Sequence, residues 1–151
     1  MLCARPQTDA RTLLDEATLT PEAGMVGDRW AATRKPDNDG VDQLTLMATR
    51  VVATVAGPRE RWPLAGDQIY VDMDLSEENL PVGTRLLLGE AEIEITEMPH
   101  LGCSKFGARF GNEALRFVCA KELRALRLRG VYARVLRAGR VRVGDRLVKI
   151  P

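Results

Sequence analysis

Apolar and polar positions alternate in six short segments, and that two-residue period predicts strands rather than helices. Gln43-Leu44-Thr45-Leu46-Met47 reads as the first, and Ile69 to Leu75 as the second. Arg85-Leu86-Leu87-Leu88 and Ala91 to Thr96 follow, joined by Gly89-Glu90 in a predicted hairpin. In the latter strand Ile93 and Ile95 share one face while Glu92, Glu94 and Thr96 share the other, so it is expected to be half buried. Val131 to Leu136 and Arg146 to Ile150 complete the set.

Helical periodicity is scarcer. Arg50 to Gly57 reads as a short helix ending at Gly57-Pro58, although its β-branched content leaves a strand open. Asn112 to about Leu126 is the better case: Asn112 can cap, Glu113 suits the positive end, and Leu115, Val118, Cys119, Leu123 and Leu126 form one apolar stripe. That stripe predicts a core position for Cys119. The dipeptide Gly-Asp occurs at Gly27-Asp28, Gly66-Asp67 and Gly144-Asp145. Glycine accepts positive φ and aspartate bonds nearby amides, so these read as sharp corners of a strongly bent sheet, at least two of them simple turns. The expected architecture is mainly β and barrel-like, with one or two short helices in a single domain over residues 1–151.

Composition changes this picture little. A chain of 151 residues, 45% hydrophobic and 28% charged, can bury a core without staples. A net charge of +1 gives no global attraction to nucleic acid or an anionic membrane. Locally, residues 105–129 carry Lys105, Arg109, Arg116, Lys121, Arg124, Arg127 and Arg129 against Glu113 and Glu122. That run suits either an anionic ligand or a solvated basic face. Three cysteines, an odd number, argue against a disulfide framework and for a reducing compartment. Cys3 is expected in a frayed terminus. No apolar run approaches a membrane span, Met1 to Gln7 lacks the pattern of a secretory signal, and the expected location is cytoplasmic.

The chemistry concentrates in Met98-Pro99-His100-Leu101-Gly102-Cys103-Ser104-Lys105-Phe106. The only histidine precedes a cysteine by three residues, and Lys105 and Arg109 follow. A thiol gains reactivity when a cation or base stabilises its thiolate, so Cys103 is the candidate nucleophile or ligand, against the alternative of a part-buried loop thiol. On an extended backbone His100 and Cys103 point to opposite faces and meet only if Leu101-Gly102 turns. A zinc site is disfavoured, because His100, Cys103 and a buried Cys119 do not make a four-ligand set. No nucleophile elbow, phosphate-cradling loop or dinucleotide fingerprint is present.

An ordered series of segments resembles MOSC domains, named for the C-terminal part of molybdenum cofactor sulfurase. It runs from Gly24-Met25-Val26-Gly27-Asp28-Arg29-Trp30 through Gln43 to Met47, Ala65-Gly66-Asp67-Gln68 and Asp72 to Pro81. It continues through Pro99 to Phe106, Arg109-Phe110-Gly111, Leu128 to Val135 and Gly139 to Asp145, so that it spans roughly residues 19–150. The resemblance implies a β-rich fold of the pyruvate-kinase barrel-like type and matches Cys103 to the family's characteristic cysteine. It implies molybdenum cofactor as a ligand, with Cys103 ligating the metal or carrying sulfur as a persulfide. His100 would orient or deprotonate the thiol, while Lys105 and Arg109, with Arg29 and Arg50, would neutralise ligand phosphate. Asp28 can be read simply as a turn residue and Trp30 as core.

The expected function is therefore a molybdenum-cofactor-binding protein with a reactive cysteine, acting as a reductase or sulfur-transfer protein. The alternative is a persulfide relay or interaction module without turnover. Either needs a partner, a cysteine desulfurase or an electron-transfer protein, since the chain has no cysteine cluster for an iron–sulfur centre. Pyridoxal phosphate is not expected, because nothing resembles the lysine motif of a desulfurase domain. Neither nucleic acid nor membrane is an expected partner.

Overall fold

The computed structural model describes residues 1–151. The chain opens with β1 (Leu2–Ala4), β2 (Thr12–Leu14), β3 (Glu16–Thr20) and β4 (Gly24–Met25), then α1 (Trp30–Thr33). After β5 (Leu44–Ala48) comes α2 (Thr49–Ala56), a 3-10 turn over Arg59–Ala65, and β6 (Ile69–Val71). The hairpin β7 (Arg85–Leu88) and β8 (Ala91–Ile95) leads to α3 (Ser104–Phe110), α4 (Asn112–Val118) and a 3-10 turn over Lys121–Leu126. Then β9 (Val131–Arg137), β10 (Gly139–Arg142) and β11 (Leu147–Ile150) close the chain.

Eight strands form one sheet in the order β11-β7-β8-β9-β5-β6-β1-β2, and β10-β3-β4 form a second. All pairs are antiparallel except β5 and β6, which α2 and the following 3-10 turn connect as a crossover. The mixed sheet curls into a half-barrel around one apolar cluster containing Leu44, Leu46, Ile93, Ile95 and Phe106. Buried Gln43 ties the two sheets together: its Nε2 donates to Pro21 O at 2.7 Å, and its Oε1 accepts from Val135 N at 2.7 Å.

The β-rich class and the β7–β8 hairpin follow the alternation of side chains. Leu88 pairs Ala91 across Gly89-Glu90, Ile93 and Ile95 are sealed, and Glu92 and Glu94 are half-buried. The segment from Arg50 is a helix: Val51, Val52 and Ala56 are its buried face, and Gly57 at φ 70 followed by Pro58 ends it. Helices are more numerous than the one or two expected.

Four expectations need correction. Cys3 is not in a frayed end but 0% exposed in β1, held by the Cys3 N to Gln68 O bond. Pairing of the second strand stops at Val71, so the chain bends at Asp72 and Met73 and is irregular through Leu75. The helix from Asn112 breaks after Val118, where Ala120 turns extended (ψ 129), and the 3-10 turn beyond is tied to a different loop through Glu77 N to Ala125 O. Consequently Leu126 is 49% exposed and Cys119 only half-buried, although Cys119 still packs on the core. No helix is long and apolar enough to cross a membrane.

Candidate functional site

Loop 96–103 leaves β8 and delivers Cys103 to the N-cap position of α3, with extended backbone at φ −115 and ψ 173. The helix starts there because the Cys103 carbonyl accepts from Phe106 N and Gly107 N, and Phe106 anchors it in the core. The Cys103 side chain is exposed. One helical turn separates Lys105 from Arg109, so both fall on the same face of α3. Gly102 has no space for a side chain: a Cβ there would lie 2.5 Å from Leu115 Cδ1 and 3.0 Å from Cys119 Sγ. Cys119 Sγ instead accepts from Gly102 N at 3.2 Å. Neighbouring side chains of an extended segment point to opposite sides, so Cys103 faces away from Cys119.

Cys103 opens into a cleft of about 320 Å³ lined also by His100, Lys105, Arg109, Arg29 and Trp30. Five of the six sequence-predicted residues thus converge on one cleft: Cys103, His100, Lys105, Arg109 and Arg29. Arg50 does not join them. It lies on α2, 65% exposed, with Asp72 Oδ1 at 3.9 Å as its carboxylate neighbour.

Among the lining residues not named as site residues are the cations Arg5, Arg11 and Arg129, the ring of Tyr132 and one carboxylate, Asp42. Arg5 and Arg11 bracket the loop of the β1–β2 hairpin, and Arg129 precedes β9. The signal that could have found them lies in the Gly-Asp corners. Gly27 (φ 86) and Gly66 (φ 91) do turn the chain, but Asp28 and Asp67 are buried anchors rather than simple turn residues. Asp28 takes Arg5 through Nε at 2.9 Å and Nη2 at 3.0 Å, and also accepts from Trp30 N at 3.0 Å. Asp67 takes Arg129 Nη1 at 2.7 and 3.0 Å, while Arg129 Nη2 donates to Ala65 O at 2.9 Å and its guanidinium stacks on Phe106. Only Asp145, capping Arg142 N, is a turn residue as first read.

The remaining cations are arranged differently. Arg11 bonds only carbonyl oxygens, of Pro63 and Ala10, and burial together with the Arg109 charge lowers its pKa. Arg29 has a buried Nη1 with no partner. Arg11 and Arg109 converge over Gly66, where a Cβ would sit 3.3 Å from Arg11 Nη2 and 3.9 Å from Arg109 Nη1. Lys105 and Arg109 share one exposed carboxylate, Asp9.

His100 is sealed into the wall beside Tyr132, with ring centroids 4.4 Å apart. Burial first, then the charges of Arg129 and Arg5, hold its pKa well below 6.5, so the imidazole is neutral. Its Nδ1 is 3.7 Å from Asp67 Oδ1, too far for a hydrogen bond, and has no other partner. No hydrogen bond joins His100 to Cys103, so the expected deprotonation of the thiol by this histidine has no contact to act through. His100 and Arg129 also line a second cavity of about 170 Å³ on the Cys119 side, making them a shared wall. Trp30 is both core and lining: it is 6% exposed, and its Nε1 donates to Asp42 at 2.8 Å.

Taken together, the cleft offers a thiol, unpaired guanidinium donors and a neutral imidazole. Such a set suits a ligand with both an anionic group and a soft-metal or sulfur centre. No group of three or more His, Cys, Asp or Glu side chains is placed to hold a bare metal ion.

Comparison with known proteins identifies the family of the sequence and the fold. The sequence model described as the MOSC domain matches residues 44–148. No curated protein sequence matches the chain. Among solved structures, one described as a hypothetical protein is similar with a TM-score of 0.67 and 20% identity over 99% of this chain. The chain spans 65% of that structure's own length. The YuaD protein from Bacillus subtilis has a TM-score of 0.68 at 18% identity, covering 97% of this chain and 91% of its own. YiiM from Geobacillus stearothermophilus has a TM-score of 0.65 at 14% identity, covering 99% and 73%. At these identities the structures establish the fold alone.

Proposed function

Because the chain belongs to the MOSC domain family, we propose that its cleft binds a molybdenum-pterin cofactor or a similar phosphorylated metal ligand, with Cys103 as the sulfur donor. One observation carries this reading: the exposed Cys103 thiol shares a single cleft with Arg29, Arg11, Lys105 and Arg109. The residues fit such a group. A buried guanidinium nitrogen of Arg29 lacks an acceptor, and the convergence of Arg11 and Arg109 above Gly66 leaves a cradle that a Cβ would fill. About 320 Å³ lies at the lower end of small-ligand sites. A lone thiolate cannot retain a bare ion, so a metal docked at Cys103 would bring its other ligands with it.

When bound, such a metal supplies two-electron oxidation–reduction chemistry. The protein's own part is binding and orientation. Arg29 and Arg11 hold the anionic end, with Lys105 and Arg109 above them, while Cys103 presents sulfur at the rim. Asp28 and Asp67 fix Arg5 and Arg129 in the cleft wall, which keeps two guanidinium groups oriented without leaving their charge free. His100, kept neutral, forms a polar wall that neither repels nor neutralises a bound anion.

A second reading is favoured by the exposure of Cys103 itself. A thiol at the surface can take sulfur from a cysteine desulfurase and pass it on, as a persulfide relay without substrate turnover. Metal analysis after expression in a cofactor-competent host separates the two. Cofactor ligation predicts molybdenum in the wild-type protein that is lost in Cys103→Ser. Persulfide-specific labelling of Cys103 after incubation with a cysteine desulfurase and cysteine, without molybdenum, supports the relay. A metal-free protein whose Cys103 resists labelling overturns both.

A further inference from the structure

The loop of the β1–β2 hairpin places one carboxylate on two of the cations that line the cleft. Asp9 Oδ1 lies 2.5 Å from Arg109 Nη2 and 3.5 Å from Lys105 Nζ. Those two cations are the only side-chain partners of the Asp9 carboxylate, which is itself 59% exposed. Its backbone is in the left-handed region at φ 62, one of two non-glycine residues in the chain to adopt it. Aspartate and asparagine tolerate that conformation better than most residues, but it still carries strain, and such strain is worth connecting to a site.

The electrostatics give the contact a meaning. Arg11 and Arg109 converge over Gly66, and their mutual repulsion is part of what depresses the Arg11 pKa. The inner arginines, Arg5 and Arg129, already have sealed aspartates. Asp9 is the anion that answers the outer cations, and it does so from solvent, where an ion pair is weak and exchangeable. Any anionic group entering the cleft competes for the same two donors. A carboxylate offers them no more charge than Asp9 already does, whereas a phosphate near its second ionisation offers up to two charges and three acceptor oxygens.

We propose that Asp9 is a specificity-determining residue: a removable internal anion that yields Lys105 and Arg109 to a doubly charged phosphate group but holds them against singly charged ligands. The proposal rests on the reading of the cleft as an anion site, and it extends that reading to residues 1–14, which lie outside the family-matched span.

Alkylation of Cys103 tests it without a bound cofactor. Iodoacetate carries one negative charge and iodoacetamide none, so the ratio of their rates at Cys103 reports how freely the cleft receives a monoanion. Asp9→Asn keeps the side-chain shape and the tolerance for positive φ while removing the charge. We expect it to raise the iodoacetate-to-iodoacetamide ratio about three- to tenfold at moderate ionic strength, the effect of one unscreened charge nearby. A change in thiolate fraction moves both rates alike and cancels in the ratio, and the ratio at Cys119 should stay constant. An unchanged Cys103 ratio overturns the proposal, whether both rates stay where they were or rise together. Arg109→Ala in the same assay separates the underlying reading: if it leaves the wild-type ratio unaltered, the cleft is not an anion site and both ideas fall.

Discussion

The cleft binds its cations in two layers that use the same chemistry and differ in burial. In the inner layer Arg5 and Arg129 meet Asp28 and Asp67, whose side chains have no exposed surface. In the outer layer Lys105 and Arg109 meet Asp9, more than half of which faces water. Burial decides what each pair is for. Removing one member of a sealed pair strands a charge where water cannot reach it, so the inner pairs belong to the architecture. Removing an exposed partner leaves a solvated cation free for another anion, so the outer layer is where a ligand is selected.

The sharpest way to break the comparison is to neutralise one aspartate from each layer. Asp67→Asn should lower stability by about 3–5 kcal/mol in urea unfolding, whereas Asp9→Asn should cost less than about 1 kcal/mol. Equal costs would erase the distinction between layers. Next in size is the loop that presents the thiol. Gly102→Ala pushes a methyl group into Leu115 and Cys119, so about 1–3 kcal/mol should be lost together with altered Cys103 reactivity.

The neutral histidine in the inner layer supplies a pH test. Because its folded pKa is depressed, the unfolded chain takes up a proton near pH 6.5 while the folded chain does not. Stability should therefore fall as pH drops from about 6.5 toward 5, with a slope of at most about 1.4 kcal/mol per pH unit. His100→Phe, which can keep the packing on Tyr132, should flatten that slope; a slope that persists assigns it to another group. The smallest effect is expected at Arg50, outside both layers. Arg50→Ala should change stability by less than about 0.5 kcal/mol and leave Cys103 alkylation as in the wild type.

How far the site could be read from sequence depended on what surrounds each residue. Lys105 and Arg109 follow Cys103 closely in the chain, and α3, a helix not expected there, puts the two cations on one face; Arg29 follows a recognisable corner. Arg5 and Arg11 depend on a hairpin of three-residue strands, one of them largely exposed, in which no two-residue period can develop. Asp28 and Asp67 look like turn residues because each follows a glycine that turns the chain; their task as anchors is visible only once arginines from distant segments arrive. Arg50 shows the converse, a basic residue near a family motif that its place in the first turn of α2 leaves in solvent beside Asp72 and outside the cleft. At Cys119 the periodic stripe held only in part, because the helix stops at Val118, about two turns short of Leu126. Local patterns thus carried six of the eleven strands, the β7–β8 hairpin and the Cys103 loop, while β1 to β4, β10 and the cross-chain ion pairs that complete the cleft escaped them.

The central claim is that the Cys103 sulfur and the cations around it form one site. Protection of Cys103 by pyrophosphate against iodoacetamide, followed by mass spectrometry with Cys119 as internal control, tests it most directly. The account predicts a slowing of Cys103 alkylation that saturates with pyrophosphate, weakens with added salt, and disappears in Arg29→Ala/Arg109→Ala. A Cys103 rate indifferent to pyrophosphate at every concentration, or protection that survives loss of both arginines, would contradict it.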